Sequence, residues 1–566
     1  MIRSRGRAAR LLALALFLAP PLPARAAEAA ARTATGRKAM VATASPLATE
    51  VALDVLKRGG NAVDAAVAAA FAVGVVEPDA SGLGGGGGML IRKANGEAVY
   101  VNYYGAAPAG VAGMKYDPAA DAKSAKAILV PGAVAGLARA LKEHGTFPLA
   151  AAVAPSIRLA EEGFAVDATL SGILLENFPV VAENEASAEV YLRDGLPLQE
   201  GEALRQPRLA ETLRAVARGG PRAFYEGPVA QAIVDGVRAA GGVLALEDLR
   251  RYEPTVTKPV ATTYRGFEVL SAPPPHSGAT VLEALNVLEN ADLAKSGPPA
   301  ASADTFHLVA EAMRRAYADR AAFLADPRFE EVPVAALLSK PYARARFATI
   351  DPARVVPEDY RKTPAGDPSA FSPADAARES SVVGHTTQIS VVDRHGNAVS
   401  ITQTLGTFFG SGVTAAGVLL NCGVSNFAFS SRRNRLEPGK QPRSSISPTI
   451  VARDGRVVLV LGSPGAIRIV ATVLTLLVNL LDFGMTADEA NQAPRFLCQK
   501  NDSVLPLEGR FPPALRDELT RRGHRLQLYG DFDLFFGGAQ VIRVDRARKL
   551  VEGSADPRRG GTAAGY

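Results

Sequence analysis

The chain has 566 residues, 48% of them apolar and 21% charged, with two cysteines and a formal net charge of +6. Those fractions describe a globular protein with a large core, and two cysteines exclude a disulfide scaffold. Arg3, Arg5, Arg7, Arg10 and Arg25 lie in the first 27 residues with no acid among them, so setting those five aside leaves +1 and no basic surface for nucleic acid.

The leader reads as a signal peptide over residues 1–26. It has a basic start, an apolar run over 11–19 and the small-residue site Ala24-Arg25-Ala26. The run is too short to span a bilayer, and no Arg-Arg pair marks a twin-arginine route. A periplasmic or secreted protein with no membrane span is expected. Cys422 and Cys498 can then pair or stay as buried free thiols, and the sequence leaves both open.

Residues 49–58 form a helical pattern stopped by Gly59-Gly60. Asn61 then caps a second, almost wholly apolar helix over 62–76, with Asp64 in its first turn. The glycine run 84–88 lacks the Lys-Ser or Lys-Thr ending and following helix of a phosphate loop. A strand over 89–92 follows it, then an Asn95-Gly96 turn and a return strand over 98–103, so close backbone packing is the reading. Further on, Pro131 to Gly136 opens a helix ending near His144-Gly145. The turn from Pro273 to Gly278 precedes a helix over 281–288, and residues 311–320 read as an amphipathic helix. All three read as scaffold.

A Pro-, Ala- and Ser-rich tract over 351–381 reads as a mobile linker. It leads to Gly384-His385-Thr386-Thr387, and strands over 389–392 and 398–401 flank the turn Asp393 to Asn397, a hairpin signal. Taken alone, Thr-Thr before a strand says only that β-branched residues favour strands. Beyond it lie Arg443 to Thr449, a strand over 457–461, the turn Gly462 to Ala466 and an apolar helix over 467–481. The six histidines (144, 276, 307, 385, 395, 524) have no ligand spacing, so neither metal nor cofactor is expected. No Gly-x-Ser-x-Gly elbow is present.

The phrase Thr386-Thr387-x-x-Ser390-Val391-Val392-Asp393-x-x-Gly396-Asn397-Ala398-Val399-x-x-Thr402-x-Thr404-Leu405 resembles the start of the small subunit of γ-glutamyltranspeptidases. These are N-terminal-nucleophile (Ntn) hydrolases. The likeness extends to Gly59–Ala66, the glycine run, the three scaffold segments and the C-terminal stretch 554–566. It implies an α/β (α+β) fold, a four-layer αββα sandwich. It also implies one domain cut into a large subunit, 27–385, and a small catalytic subunit, 386–566, that stay together as a heterodimer.

The resemblance implies the chemistry as well. Cleavage between His385 and Thr386 frees the α-amine of Thr386, which then serves as the base for its own hydroxyl. His385 leaves on the other fragment, so its side chain is incidental. Thr404 matches the threonine that orients the nucleophile. Gly465 and Ala466 match a Gly-Gly pair whose N–H groups hold the oxyanion. Ser444 and Ser445 match the serines that contact the donor's α-carboxylate.

Three departures stand out. Tyr104 occupies the place of an arginine that grips that carboxylate. Asn426, Gly423 and Gly406 stand where an aspartate, a Glu or Gln and an asparagine grip the α-ammonium. The segment between Asn426 and Ser444 is shorter than in members with a lid, which implies an open cleft. The expected function is threonine amidohydrolysis or transfer on γ-glutamyl amides such as glutathione. The alternatives are an acylase for a glutaryl or similar group, and an uncleaved binding homologue.

Overall fold

The alternation of Ile389 and Val391 with Gln388, Ser390 and Val392 sets the layering of the molecule, because successive strand residues face opposite sides. The computed structural model describes residues 31–368, 385–428, 430–500 and 502–566. The leader and residues 369–384 lie outside them. A seven-stranded antiparallel sheet runs, edge to edge, through Thr562–Gly565, Met40–Thr43, His385–Val392, Ala398–Gly406, Gly86–Arg92, Ala98–Asn102 and Thr255–Thr257. A second has the order Thr33–Gly36, Leu550–Ala555, Gln540–Asp545, Arg456–Gly462, Thr449–Arg453, Phe267–Ser271 and Val260–Tyr264.

Each sheet buries both faces. Val41, Ile91, Ile389, Val391, Val399 and Ile401 pack with the helices Pro46–Lys57 and Ala62–Val76. Val269, Val451, Leu459, Leu461 and Val541 pack with the helices Gly278–Leu288, Ala303–Phe323 and Arg468–Leu481. Between the sheets lie Met40, Leu90, Tyr100, Leu270, Ile450, Val460 and Ile542. Helix, sheet, sheet, helix is the expected four-layer αββα sandwich.

The local readings hold where the signal is local. The helix Ala62–Val76 is buried along its whole length. The Asn61 side chain accepts from the Val63 and Asp64 N–H groups at 2.8 and 3.0 Å, and Asp64 Oδ2 accepts from the Asn61 N–H at 2.7 Å. Both expected hairpins form, with Gly96 and Gly396 at φ +93° and +87° in their turns. The glycine run enters a strand, as expected. A Cβ at Gly88 would lie 1.7 Å from the Tyr100 hydroxyl, and one at Gly85 would lie 2.3 Å from the Thr404 carbonyl oxygen.

Two expectations change. The helix read as amphipathic, Ala303–Phe323, is buried almost throughout. Its charged face points inward: Glu311 Oε2 accepts from Arg314 and Arg315 at 2.5 and 2.6 Å, and Asp319 pairs with Arg346 at 2.9 Å. Charges at helical spacing look solvated in sequence, and here other segments of the chain cover them.

The second change concerns the linker. Residues 351–368 are anchored, and the remainder of that tract lies outside the described residues. The Val355 N–H donates to the Arg522 carbonyl at 2.8 Å, the Gly366 N–H donates to Asp319 Oδ1 at 2.7 Å, and Tyr360 is buried.

The anchor includes two buried histidines. The Asp351 carbonyl can only accept, so His307 Nε2 donates to it at 2.8 Å. His307 Nδ1 then accepts from His524 Nε2 at 2.8 Å, and His524 Nδ1 accepts from the Tyr360 hydroxyl at 2.8 Å. Burial holds both imidazoles below their usual pKa, and for His524 the neighbouring His307 adds to the effect. Among the described residues no helix is long and apolar enough to cross a membrane.

This chain of hydrogen bonds predicts a pH dependence. A histidine whose folded pKa is depressed binds a proton in the unfolded state only, once pH falls below about 6.5. Its contribution to stability is therefore present above that value and lost below it. The drop in Tm caused by His524→Asn is expected to be largest near pH 8 and clearly smaller at pH 5.5, read by calorimetry across that range. A pH-independent drop would mean that the fold leaves the His524 pKa unshifted.

Candidate active site

Thr386 pairs with Thr404, but His385 pairs with Gly406, so Leu405 is an extra residue in its strand. A bulge thus sits at the His385–Thr386 peptide, in the middle of the sheet. Bulges re-aim side chains without releasing the strand. The Thr386 hydroxyl donates to Thr404 Oγ1 at 3.2 Å, and the Thr404 hydroxyl donates to the His385 carbonyl oxygen at 2.7 Å. The Gly406 N–H fills the remaining lone pair of Thr404 Oγ1 at 2.8 Å. One proton and two lone pairs are all a hydroxyl has, and all three are used.

The other side of Thr386 is held by charge. The Arg559 guanidinium donates to the Thr386 carbonyl at 2.6 Å, lies 3.2 Å from Glu77 and sits over the Phe408 ring. Burial raises the Glu77 pKa, and burial together with Glu77 raises that of Asp79 to about 7. His385 stacks on Phe408 at an interplanar angle of 8°. Burial, then Arg559, Arg468 and Lys123, keep its imidazole well below the usual pKa.

The strand Arg456–Gly462 ends in the turn that holds Gly465 and Ala466, at φ +126° and +51°. The helix begins at Arg468, one residue later than expected. Among the described residues neither the Gly465 nor the Ala466 N–H has an acceptor. Unsatisfied amides before a helix N-terminus favour a negative oxygen.

One pocket gathers Thr386, Thr404 and Ala466 with Tyr104, Gly406, Asn426, Ser444 and Ser445. Gly465 is buried beside it. Gly423 does not line it and opens instead on a small neighbouring cavity shared with Gly406 and Leu129. The Tyr104 hydroxyl accepts from Asn426 Nδ2 at 3.0 Å and has Ser444 as a further partner, and burial lifts its pKa to about 12. The phenol therefore stays neutral.

A Cβ at Gly406 would lie 2.7 Å from Cys422 Sγ, and one at Gly423 would lie 2.4 Å from Leu129 Cδ1. Neither position can carry a longer side chain without local movement.

Sequence reading missed three polar residues of this pocket, Arg320, Asn434 and Arg443, and the apolar Ile446, Ile467 and Ile469. Arg320 lies on the helix read as scaffold. Asn434 and Arg443 belong to the segment between Asn426 and Ser444, where the Arg443 N–H donates to Asn434 Oδ1 at 2.8 Å and Arg433 Nη1 donates to the Glu331 carbonyl at 2.7 Å. The adjacency of Arg443 to Ser444 was the only available signal. Among the described residues no cluster of three His, Cys, Asp or Glu suits a metal ion. Cys422 and Cys498 are both buried free thiols.

Residues 48–566 match the family model described as Gamma-glutamyltranspeptidase. The chain is 38% identical to the glutathione hydrolase proenzyme of Escherichia coli over 562 residues, 95% of this chain and 94% of that protein. It is 37% identical to the acylase ACY 1 proenzyme of Pseudomonas sp. (strain SE83), over 88% of each chain. A cephalosporin acylase from Bacillus halodurans has the same fold, with a TM-score of 0.84, 30% identity and coverage of 97% of this chain and 98% of that one.

The backbone angles yield a direct check. An alanine at φ +51° is in the left-handed region, strained by roughly 1–2 kcal/mol, while glycine is at ease there. Ala466→Gly keeps the N–H donor, so activity within a few-fold of the parent and an equal or higher Tm are expected. Gly406→Ala, at φ +102° against Cys422, should lower Tm and activity together. Thermal melts and turnover measured on both variants read these two effects. Proline at 466 is a poor probe of the donor, since it cannot adopt a positive φ.

Proposed function

The chain belongs to the γ-glutamyltranspeptidase family of Ntn hydrolases and is an enzyme, and from that premise we propose that it cuts itself before Thr386 and then hydrolyses amides through a threonyl ester. The observation that carries this reading is the hydrogen-bond chain from Thr386 Oγ1 through Thr404 Oγ1 to the His385 carbonyl.

In self-cutting, Thr386 Oγ1 attacks the His385 carbonyl carbon, and Thr404 supports the oxygen as charge develops on it. The proton released from the Thr386 hydroxyl passes to the peptide nitrogen, which leaves as the Thr386 amine. Water opens the resulting ester to a His385 carboxylate and the free Thr386 hydroxyl. The names of the proenzyme relatives favour such processing. The products are 27–385, after removal of the 1–26 leader, and 386–566. Both sheets interleave strands from the two fragments, so they hold together as a heterodimer. The leader favours a periplasmic or secreted location.

In turnover the freed α-amine takes the Thr386 hydroxyl proton as the oxygen attacks a small-molecule acyl amide. The Gly465 and Ala466 N–H groups hold the oxyanion. The amine leaves with a proton from the α-ammonium, and water hydrolyses the ester. Ser444 and Ser445 lie in the same pocket for the acyl group's polar end. Glutathione hydrolysis is the default label within the family. An acylase reading is favoured here by one observation, the Tyr104–Asn426 hydrogen bond at 3.0 Å where a charged clamp is expected.

Purified protein is expected to run as two bands on a denaturing gel, the smaller beginning at Thr386. Thr386→Ala should stay full length, which also separates this reading from an uncleaved binding homologue. Thr404→Ala should slow cutting roughly 10- to 100-fold, the worth of a hydrogen bond to a charged group, while Thr404→Ser retains it. A small fragment with any other first residue would remove Thr386 from the mechanism.

A further inference from the structure

Thr386 stands where the sheet loses one neighbour. The strand Met40–Thr43 pairs with Ile389–Val392 and no further, because the chain turns at Ser45 into the helix Pro46–Lys57. Arg559 takes over at that point. It lies beside Ala44 and Ser45 in a small cavity, and its guanidinium donates to the Thr386 carbonyl at 2.6 Å. Resting on the threonine amidohydrolase reading above, we infer that Glu77 is a positioning residue for Thr386: it holds the Arg559 guanidinium on the Thr386 carbonyl, and that grip keeps Oγ1 aligned in self-cutting and in turnover.

Arg559 is 7% exposed, and among the described residues Glu77, at 3.2 Å, is the only carboxylate that pairs with it. Asp79 and Asp167 face the same cavity. A buried guanidinium without its counter-ion is costly, so the place of Arg559 follows the place of Glu77. Glu77 is itself fixed. It caps the C-terminal end of the buried helix Ala62–Val76, with its N–H donating to the Val73 carbonyl at 2.8 Å. The negative end of the helix dipole adds to the attraction for the guanidinium. The Phe408 ring, 5.7 Å from the guanidinium carbon, closes another side.

Self-cutting closes a five-membered ring through the His385 carbonyl carbon and the N, Cα, Cβ and Oγ1 of Thr386. The ring closes readily only if the Thr386 backbone is held. Thr404 holds the hydroxyl and the His385 carbonyl, and Arg559 holds the carbonyl on the far side of Thr386. Cutting turns Thr386 into a chain end and takes the His385 carbonyl away from it. Chain ends fray unless they are tied down. The Arg559 contact survives, because both of its residues belong to the small fragment. Glu77 reaches it from the large one, so the pair also ties the two fragments together at the nucleophile.

The test uses Glu77→Gln, Arg559→Met and the double variant in the full chain. Appearance of the small fragment is timed after cell-free synthesis, and kcat and KM are measured on mature protein with γ-glutamyl and glutaryl p-nitroanilides. Arg559→Met should slow cutting and lower kcat roughly ten-fold or more, the worth of a hydrogen bond to a charged group. KM should stay within about three-fold, since Arg559 does not line the pocket that holds Ser444 and Ser445. Glu77→Gln should cause the same kind of loss in the parent chain. In the Arg559→Met background it should lose less than about two-fold more, as expected of two residues acting on one contact. Equal losses from Glu77→Gln in both backgrounds, or a change confined to KM, would overturn the inference.

If Arg559→Met does not fold, Glu77→Asp takes its place. It keeps the carboxylate on a shorter stem, so it should cut and turn over at least three-fold faster than Glu77→Gln. No difference between those two overturns the pairing. A failure of the threonine mechanism shows separately, as an uncut chain in the unaltered protein or as turnover that survives Thr386→Ala.

Discussion

The hydroxyl of Thr404 is the contact on which the site depends. It accepts from Thr386 and from the Gly406 N–H, and its single proton goes to the His385 carbonyl. A threonine elsewhere in a regular strand could not do this, because a residue directly opposite would face the same side at fixed spacing. The extra residue Leu405 breaks that spacing, and its backbone is held at both ends, the N–H to the Ala80 carbonyl and the carbonyl to the Cys422 N–H. The neighbouring glycine strand keeps the bulge from being pushed out of the sheet. At Gly85 any side chain would collide with the Thr404 carbonyl, and at Gly87 with that of Thr402.

A second layer of order comes from buried charge. Arg558 pairs with Glu508 and Asp556, and Arg495 pairs with Asp556, all essentially without exposure. Such pairs add little net stability over apolar residues of the same volume. What they add here is position. They fix residues 556–559, and the next arginine along, Arg559, then reaches the Thr386 carbonyl. The C-terminal segment so placed also supplies Thr562–Gly565, the edge strand beside Met40–Thr43. The polar contacts between the sheets do similar work. Gln388 bonds Ser400 and Thr402 next to the nucleophile, and Ser390 and Ser400 reach carbonyls of the opposite sheet.

Legibility in the sequence follows the range of the interactions. The capped helix Ala62–Val76 and the two glycine-turn hairpins were readable because cap, turn and periodicity lie within a few residues of each other. The sandwich, and Thr386, Thr404, Ser444, Ser445 and Ala466 as pocket residues, were reached by resemblance, and the structure brings those five together. The inward face of Ala303–Phe323 was not legible. Glu311, Arg314 and Arg315 repeat as a solvated face would, and the packing of the segment from Thr349 to Tyr360 covers them. The anchored part of 351–368 escaped for the same reason, since its partners, His307, Asp319 and Arg522, are remote in sequence.

The same logic explains why the pocket's charge could not be read by matching single positions. Reading Tyr104 against an arginine says that a cation has gone. The folded pocket has two arginines in its wall, Arg320 from a helix more than 120 residues before the Ser444–Ser445 pair and Arg443, that pair's own neighbour. Tyr104 is locked, too: its carbonyl accepts from Gln441 and Tyr252, its N–H donates to Asn102, and its ring meets His276 edge-on. Tyr104 is thus fixed through its backbone and its hydroxyl together, and the Asn426 amide is held in place with it at the pocket's edge.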